Sequence, residues 1–195
     1  MRKSLRFLFL PVMALSSAMA WAQSPKSLNV YFIDVEGGQS TLFVTPAGQS
    51  LLVDTGWAGG RDADRIVAVA KQAGLKQIDY MVLTHYHGDH AGGLVDLASR
   101  FPIKNFVDHG PPMEETRNVP KTFAGYLPVR EKGQHILAEL GTHLPIKGAD
   151  FTVVSAAAET ITKALPGAGA ANPLCAGSLP KDEAKDDLIA GENKQ

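Results

Sequence analysis

Residues 84–90 constrain this chain most, because three of its six histidines and one carboxylate lie within this stretch, here named the histidine loop. The apolar run 79–83 before it predicts a buried strand. If the extended backbone continues into the loop, its period of two places His85 and His87 on one side and Tyr86 on the other. The histidine loop is therefore expected to present two imidazoles that can act as a chelating pair.

The second half of the histidine loop adds two further donors. Gly88 is expected to permit a tight turn that returns Asp89 and His90 toward the same space. Imidazole nitrogen and carboxylate oxygen are ligands that zinc accepts, and iron and manganese use the same donors. Four ligands are more than one catalytic ion with an open position needs, so we expect two ions, one held by His85 and His87 and the other by Asp89 and His90. The alternative is a solvated, histidine-rich loop in which Asp89 only caps the following helix.

Residues 1–22 have the pattern of a secretory signal peptide. A basic start precedes a short apolar core at 7–20, and small residues follow, with cleavage expected after Ala20 or Ala22. The alternative is a membrane anchor, but the apolar run is shorter than the ~20 residues that a spanning helix requires. We therefore predict a periplasmic or secreted protein with no membrane span after cleavage.

Charge and cysteine content limit the partners and cross-links of the exported chain. The sequence of 195 residues has 19 basic and 20 acidic side chains, and loss of residues 1–22 would remove Arg2, Lys3 and Arg6. The remaining 16 basic side chains face 20 acids, a net charge of about −4, which argues against a nucleic-acid partner. Cys175 is the single cysteine, so no internal disulfide can form.

Apolar patterning predicts one α/β domain at 23–156, followed by a loop or disordered tail at 157–195. Three closely spaced strands come first and favour an antiparallel meander. Strands and helices then alternate, and the last helix contains Gly125, Pro128 and Gly133, which predict that it is bent. The predicted strands are 28–34, 40–45, 50–54, 79–84, 103–108 and 150–155, and the predicted helices are 62–73, 92–100 and 122–140.

Two further segments give the histidine loop a family context. Residues 32–40 read FIDVEGGQS, and residues 51–56 read LLVDTG. Together with the histidine loop they resemble the metallo-β-lactamase superfamily over about residues 28–155. Within it they are most similar to the hydrolase domain of bacterial DNA-uptake (competence) proteins and its free-standing relatives. The resemblance implies an α/β fold, an αββα sandwich of two sheets between helices, of which this chain would supply the N-terminal portion.

The resemblance also implies a role for each matching residue. His85 and His87 match ligands of the first metal ion, while Asp89 and His90 match ligands of the second, and Asp89 could also orient the attacking water. Asp54 matches a position outside the ligand set that supports the histidine loop; a strand-end turn residue is the alternative. The implied cofactor is a pair of zinc ions, with iron or manganese as other metals for the same donors.

The family completes its site with a bridging aspartate and a further histidine from the second half of the fold, and neither motif occurs in this sequence. We therefore expect that the natural chain continues beyond Gln195 and that the second half of the sandwich is missing here. His109, at the end of a predicted strand, is a candidate for a further metal ligand. His135, expected in a helix, and His143, expected in a turn, are predicted to be structural.

These features predict an exported metal-dependent hydrolase in which a metal-activated water attacks an ester, an amide or a phosphodiester. The substrate, a small molecule or a polymer, has no recognisable code in the sequence. The alternative is a truncated, non-catalytic domain that binds a metal or a partner protein.

Overall fold

The structure is a computed structural model that describes residues 27–114 and 118–169. The predicted signal peptide, Cys175 and the end of the predicted tail lie outside the described residues. In the described part of the chain, no helix has both the length and the apolar character needed to span a bilayer.

A six-stranded mixed sheet runs through the molecule in chain order. Its first three strands pair antiparallel, which confirms the predicted meander, and its last four are parallel to one another. The parallel part places the carboxyl ends of β3, β4 and β5 at one edge of the sheet. The strands are β1 (Asn29–Phe32), β2 (Thr41–Val44), β3 (Ser50–Val53), β4 (Ile78–Val82), β5 (Ile103–Asp108) and β6 (Gln134–Leu137).

Helices cover one face of this sheet. They are α1 (Arg61–Gln72), α2 (Gly88–Ala91), α3 (Leu94–Arg100) and α4 (Val119–Arg130). The apolar residues of α1 recur at a helical spacing that turns a single stripe toward the sheet. That stripe joins a row of fully buried side chains from the central strands in the main core. The row consists of Leu42, Leu52, Met81 and Phe106.

The opposite face of the sheet carries a smaller apolar cluster. Leu51, Tyr80 and Val107 pack there against Leu144 and Ile146 of the returning chain. Beyond this segment, β7 (Ser155–Ala156) and β8 (Glu159–Thr160) form a short hairpin. The expected α/β class is thus confirmed, with one helix-covered sheet of the sandwich among the described residues.

The predicted helix at 122–140 is wrong in its second half. The helix ends at Arg130, and the chain then enters β6, so His135 lies in a strand and not in a helix. Gly133 marks the change, because a Cβ there would lie 2.6 Å from the carbonyl oxygen of Lys104. A partner strand alongside β5 decides this segment, and local helix propensity cannot reveal that partner.

The predicted strand at 150–155 is also largely wrong. Only an isolated bridge between Thr152 and His143 forms there, and β7 begins at Ser155. An alternating apolar sequence becomes a strand only where a neighbour supplies a continuous ladder, and the described residues supply one bridge.

Candidate metal centre

The histidine loop continues directly from β4 at the carboxyl edge of the sheet. His87 precedes α2 with an extended backbone (φ −66°, ψ 152°), so the strand-like conformation persists as expected. The rings of His85 and His87 have centroids 4.6 Å apart. Tyr86 points to the other side, where it is buried against the ring of Phe123. The predicted alternation of these three side chains is therefore confirmed.

Asp89 and His90 lie in the single turn of α2 and return to the same place. The ring of His90 has its centroid 4.0 Å from that of His85, and His90 Nε2 lies 3.6 Å from Asp89 Oδ2. All four predicted ligands are thus neighbours. Within residues 27–114 and 118–169, however, no three histidine, cysteine or acidic side chains converge in a ready-made metal-binding group.

Gly88 does not make the expected turn. It begins α2 without a positive φ, and a Cβ there would find only Trp57, 3.8 Å away. Close packing around the loop does require other glycines, among them Gly38 and Gly93, where a Cβ would lie 2.4 Å from the Asp89 carbonyl oxygen and 2.2 Å from that of Thr55. Each of these contacts joins residues that are far apart in the sequence. The Gly37-Gly38 and Gly92-Gly93 pairs were therefore the only features of the sequence that hinted at them.

The loops that contain Gln39 and Thr55 hold the backbone of Asp89 and His90 in place. The amide of Gln39 donates to the carbonyl of Asp89 at 3.1 Å. Thr55 donates to the carbonyl of His90 twice, from its amide at 2.7 Å and from its hydroxyl at 3.0 Å. The amide of Gly56 in turn donates to Gln39, so the two loops are joined to each other.

Asp54 is the buried acceptor behind the histidine loop. Its side chain is fully buried and its φ of +58° is unusual for a residue other than glycine. It accepts hydrogen bonds from the amide of Thr84 at 2.9 Å and the hydroxyl of Thr84 at 2.7 Å, and its Oδ2 lies 2.8 Å from His90 Nδ1. These contacts are those expected of a residue that supports the loop.

This network assigns the tautomers of two imidazoles. A carboxylate only accepts, so His90 Nδ1 carries a proton, and Nε2 is the nitrogen that the neutral ring offers to a metal. The Thr84 hydroxyl gives its proton to Asp54 and therefore accepts from His85 Nδ1, 3.0 Å away. Both rings consequently present Nε2 as a free donor atom for a metal, which is how outer carboxylates and hydroxyls orient histidine ligands. The sequence did not single out Thr84.

Electrostatics favour the metal-binding form of His85. Burial lowers the pKa of this imidazole, and its neighbours His90 and His87 lower the pKa further. A neutral ring is the form that binds metal. His87 Nε2 instead lies 2.5 Å from Glu114 Oε1, an acidic neighbour that the sequence did not point to. The donor set thus fits a transition-metal ion in its chemistry, while its ligands are not preassembled around one point.

His109 lies beside the ring of Tyr86. The centroids of its ring and the Tyr86 ring are 5.2 Å apart, and its Nδ1 is buried with no hydrogen-bond partner among the described residues. It is not grouped with the four donors, so its role as a further ligand stays a prediction. His143 contacts Asp150 at 2.7 Å and Thr152 at 3.2 Å.

A cavity of about 730 Å³ opens beside the histidine loop. Its polar lining includes Thr84, His85, His109 and Glu114. The described residues that line it include no lysine or arginine. Its apolar wall includes Val53, Val82, Val107, Met113, Leu144 and Phe151.

Parts of this chain are similar to curated proteins that are named as hydrolytic enzymes. An atrochrysone carboxyl ACP thioesterase from Emericella nidulans is 33% identical over 79 residues, which cover 40% of this chain and 25% of that protein. A UPF0173 metal-dependent hydrolase from Staphylococcus saprophyticus is 36% identical over 63 residues, 32% of this chain and 25% of that protein. The match thus spans about a quarter of the length of these curated relatives.

The chain is also similar to a solved structure and matches a family model. The Rm3 metallo-beta-lactamase is 24% identical, with a TM-score of 0.49, over 65% of this chain and 48% of that one. The family model of the metallo-beta-lactamase superfamily matches residues 34–166, which include Asp54, the histidine loop and His109. That range is more than half of the sequence, and the chain therefore belongs to the metallo-β-lactamase superfamily.

Proposed function

We propose that this chain carries the metal-binding part of a metal-dependent hydrolase with two zinc ions. The observation that supports this most is the orientation of His85 and His90, whose Nδ1 atoms are engaged by Thr84 and Asp54 while both Nε2 atoms stay available. His85 and His87 would hold one ion, and Asp89 and His90 the other. Iron and manganese accept the same donors.

When bound, such ions supply an activated water and stabilise negative charge that develops on the attacked group. The residues of this chain fix the geometry around that chemistry. Asp89 is proposed to orient the attacking water with its carboxylate, while Asp54 and Thr84 hold the imidazoles in one tautomer. Gln39 and Thr55 keep the turn of Asp89 and His90 against the sheet edge.

Among esters, amides and phosphodiesters, the cavity favours an ester or thioester with an apolar acyl group. Its described walls are largely apolar, which suits an acyl group better than an anionic phosphodiester. The net negative charge of the chain after residue 22 also disfavours a polyanionic substrate. One curated relative is named a thioesterase, which is consistent with acyl chemistry. We further propose that the protein is exported, on the pattern of residues 1–22.

Loss of one proposed ligand tests this function. We expect the zinc-loaded chain to hydrolyse acyl thioesters or esters, and H87A to lose at least about 100-fold in turnover, because first ligands matter more than the residues supporting them. The measurements are zinc content by elemental analysis and hydrolysis of a thioester, a lactam and a phosphodiester. H143A is the matched control, since His143 is an exposed histidine that bonds to Asp150 and does not line the cavity beside the histidine loop. Equal activity in H87A and H143A would overturn the proposal.

A second candidate function is metal or partner binding without catalysis. It is supported by the absence of a preassembled ligand group in the described parts of the chain and by the partial match to longer relatives. Zinc bound in stoichiometric amount with no hydrolysis of any of the three substrates would favour this candidate.

A further inference from the structure

A second polar centre lies beneath the carboxyl end of β5. Asp108 is fully buried, and its carboxylate accepts a hydrogen bond from the Tyr126 hydroxyl at 2.5 Å and from the Gly110 amide at 2.8 Å. His135 Nε2 lies 3.0 Å from the same carboxylate and Arg130 3.5 Å from it. These five residues, here named the Asp108 centre, join β5 to α4 and β6.

Burial of the Asp108 carboxylate costs free energy, although the Asp108 centre takes no part in the proposed chemistry. A buried carboxylate is tolerated only where donors surround it, and this one has donors on both oxygens. Burial raises the pKa of Tyr126, and its bond to Asp108 raises the pKa further, so this hydroxyl keeps its proton and donates. A buried network whose members are all satisfied is rigid.

Tyr86 connects this rigid centre to the histidine loop. Its hydroxyl donates to the carbonyl of Gly110, whose amide is already bonded to Asp108. Gly110 has a φ of +90°, a conformation that glycine adopts readily, and it is thus held from both sides. The Tyr86 ring is 1% exposed and packs on Phe123, with centroids 4.7 Å apart.

We propose that Tyr86 is a positioning residue that anchors the histidine loop to the Asp108 centre and thereby aims His85 and His87. Tyr86 stands between the two histidines in an extended backbone, so fixing its side chain on one side fixes the directions of both neighbours on the other. Ligands must be held within a fraction of an ångström for tight metal binding. The inference rests on the proposed function, because it concerns the same metal site.

The chain offers a matched control in β4, the strand that leads into the histidine loop. Tyr80 in β4 is also buried, and its hydroxyl donates to the carbonyl of Pro145 at 2.8 Å. Y80F and Y86F each remove one buried hydroxyl that donates to a backbone carbonyl. Tyr80 lies on the face of the sheet away from the helices and outside the histidine loop.

The test compares zinc affinity and unfolding of the two variants in the full chain. We expect Y86F to weaken zinc binding about 10- to 100-fold, as loss of an outer support does, and Y80F to change it less than about twofold. Both should lower the unfolding temperature of the metal-free protein by similar amounts. Cobalt-loaded Y86F should also show a shifted visible absorption spectrum, which a purely structural role of Tyr86 would leave unchanged.

A more distant variant keeps the proposal testable if Y86F does not fold. Y126F removes the donor to Asp108 and keeps the ring that packs near Tyr86. It should weaken zinc binding by a smaller factor than Y86F, above the change in Y80F. A wild-type zinc affinity in Y86F, or in Y126F if Y86F does not fold, would overturn the inference and leave the proposed function intact. Absence of zinc binding by the wild type would overturn the proposed function and the inference with it.

Discussion

D54A is expected to lose about 100-fold in zinc affinity and about 3 kcal/mol in the free energy of unfolding. The buried carboxylate of Asp54 accepts three hydrogen bonds, two from Thr84 and one from His90. Alanine removes the shared acceptor of all three hydrogen bonds at a fully buried position, and each lost bond costs stability. Alanine also tolerates the φ of +58° less well than aspartate. Zinc titration against a chelator and urea unfolding of the metal-free chain measure the two losses.

D54N separates shape from charge at the same position. Asparagine has the size of aspartate and accepts the left-handed backbone, but its NH2 group must face a donor. We expect about a tenfold loss of zinc affinity and a smaller loss of stability than in D54A. If D54A binds zinc as tightly as the wild type, Asp54 is only a turn residue, which is the alternative that the sequence left open.

G38A is expected to displace the turn that carries Asp89 and His90. A Cβ at Gly38 would lie 2.4 Å from the Asp89 carbonyl oxygen, and backbone cannot yield as a side chain can. We expect at least a tenfold loss of zinc affinity and a loss of about 1–3 kcal/mol in stability, the usual cost of overpacking. Hydrolysis should fall with zinc affinity, because both depend on the placement of Asp89.

The neighbouring glycine supplies the control for G38A. Gly37 has a φ of +82° and open space where its Cβ would be, so G37A costs about 1 kcal/mol of backbone strain without touching Asp89. Zinc affinity should therefore be close to wild type in G37A. The same loss of zinc binding in both variants would mean that loop flexibility, and not contact with Asp89, connects Gly38 to the site.

Apolar periodicity predicted the strands and the helix whose conformation depends mainly on residues that are close in the sequence. The five strands up to Asp108 and the helix beginning at Arg61 followed from apolar periodicity, and each lies within a few residues of its predicted bounds. The grouping of His85 and His87 followed from the period of an extended chain. The residue-level roles of these ligands remain predictions.

Contacts between distant segments account for what the sequence did not reveal. His135 was placed in a helix because nothing local shows that β5 provides a partner strand. Asp108 was only the last residue of a predicted strand, because the folded chain alone brings Tyr126 and Arg130 around it. Thr84 likewise owes its role to Asp54, which lies 30 positions earlier in the chain.

The carboxyl ends of β3, β4 and β5 deliver Asp54, the histidine loop and His109 in turn to a single edge of the sheet. One consequence concerns how such a protein can diversify. Segments that follow these ends can lengthen, shorten or change composition while the layer under the helices stays intact. A shift of β4 by a single residue would do the reverse: it would swing the imidazoles inward and Tyr86 outward, and so erase the site with every side chain still present.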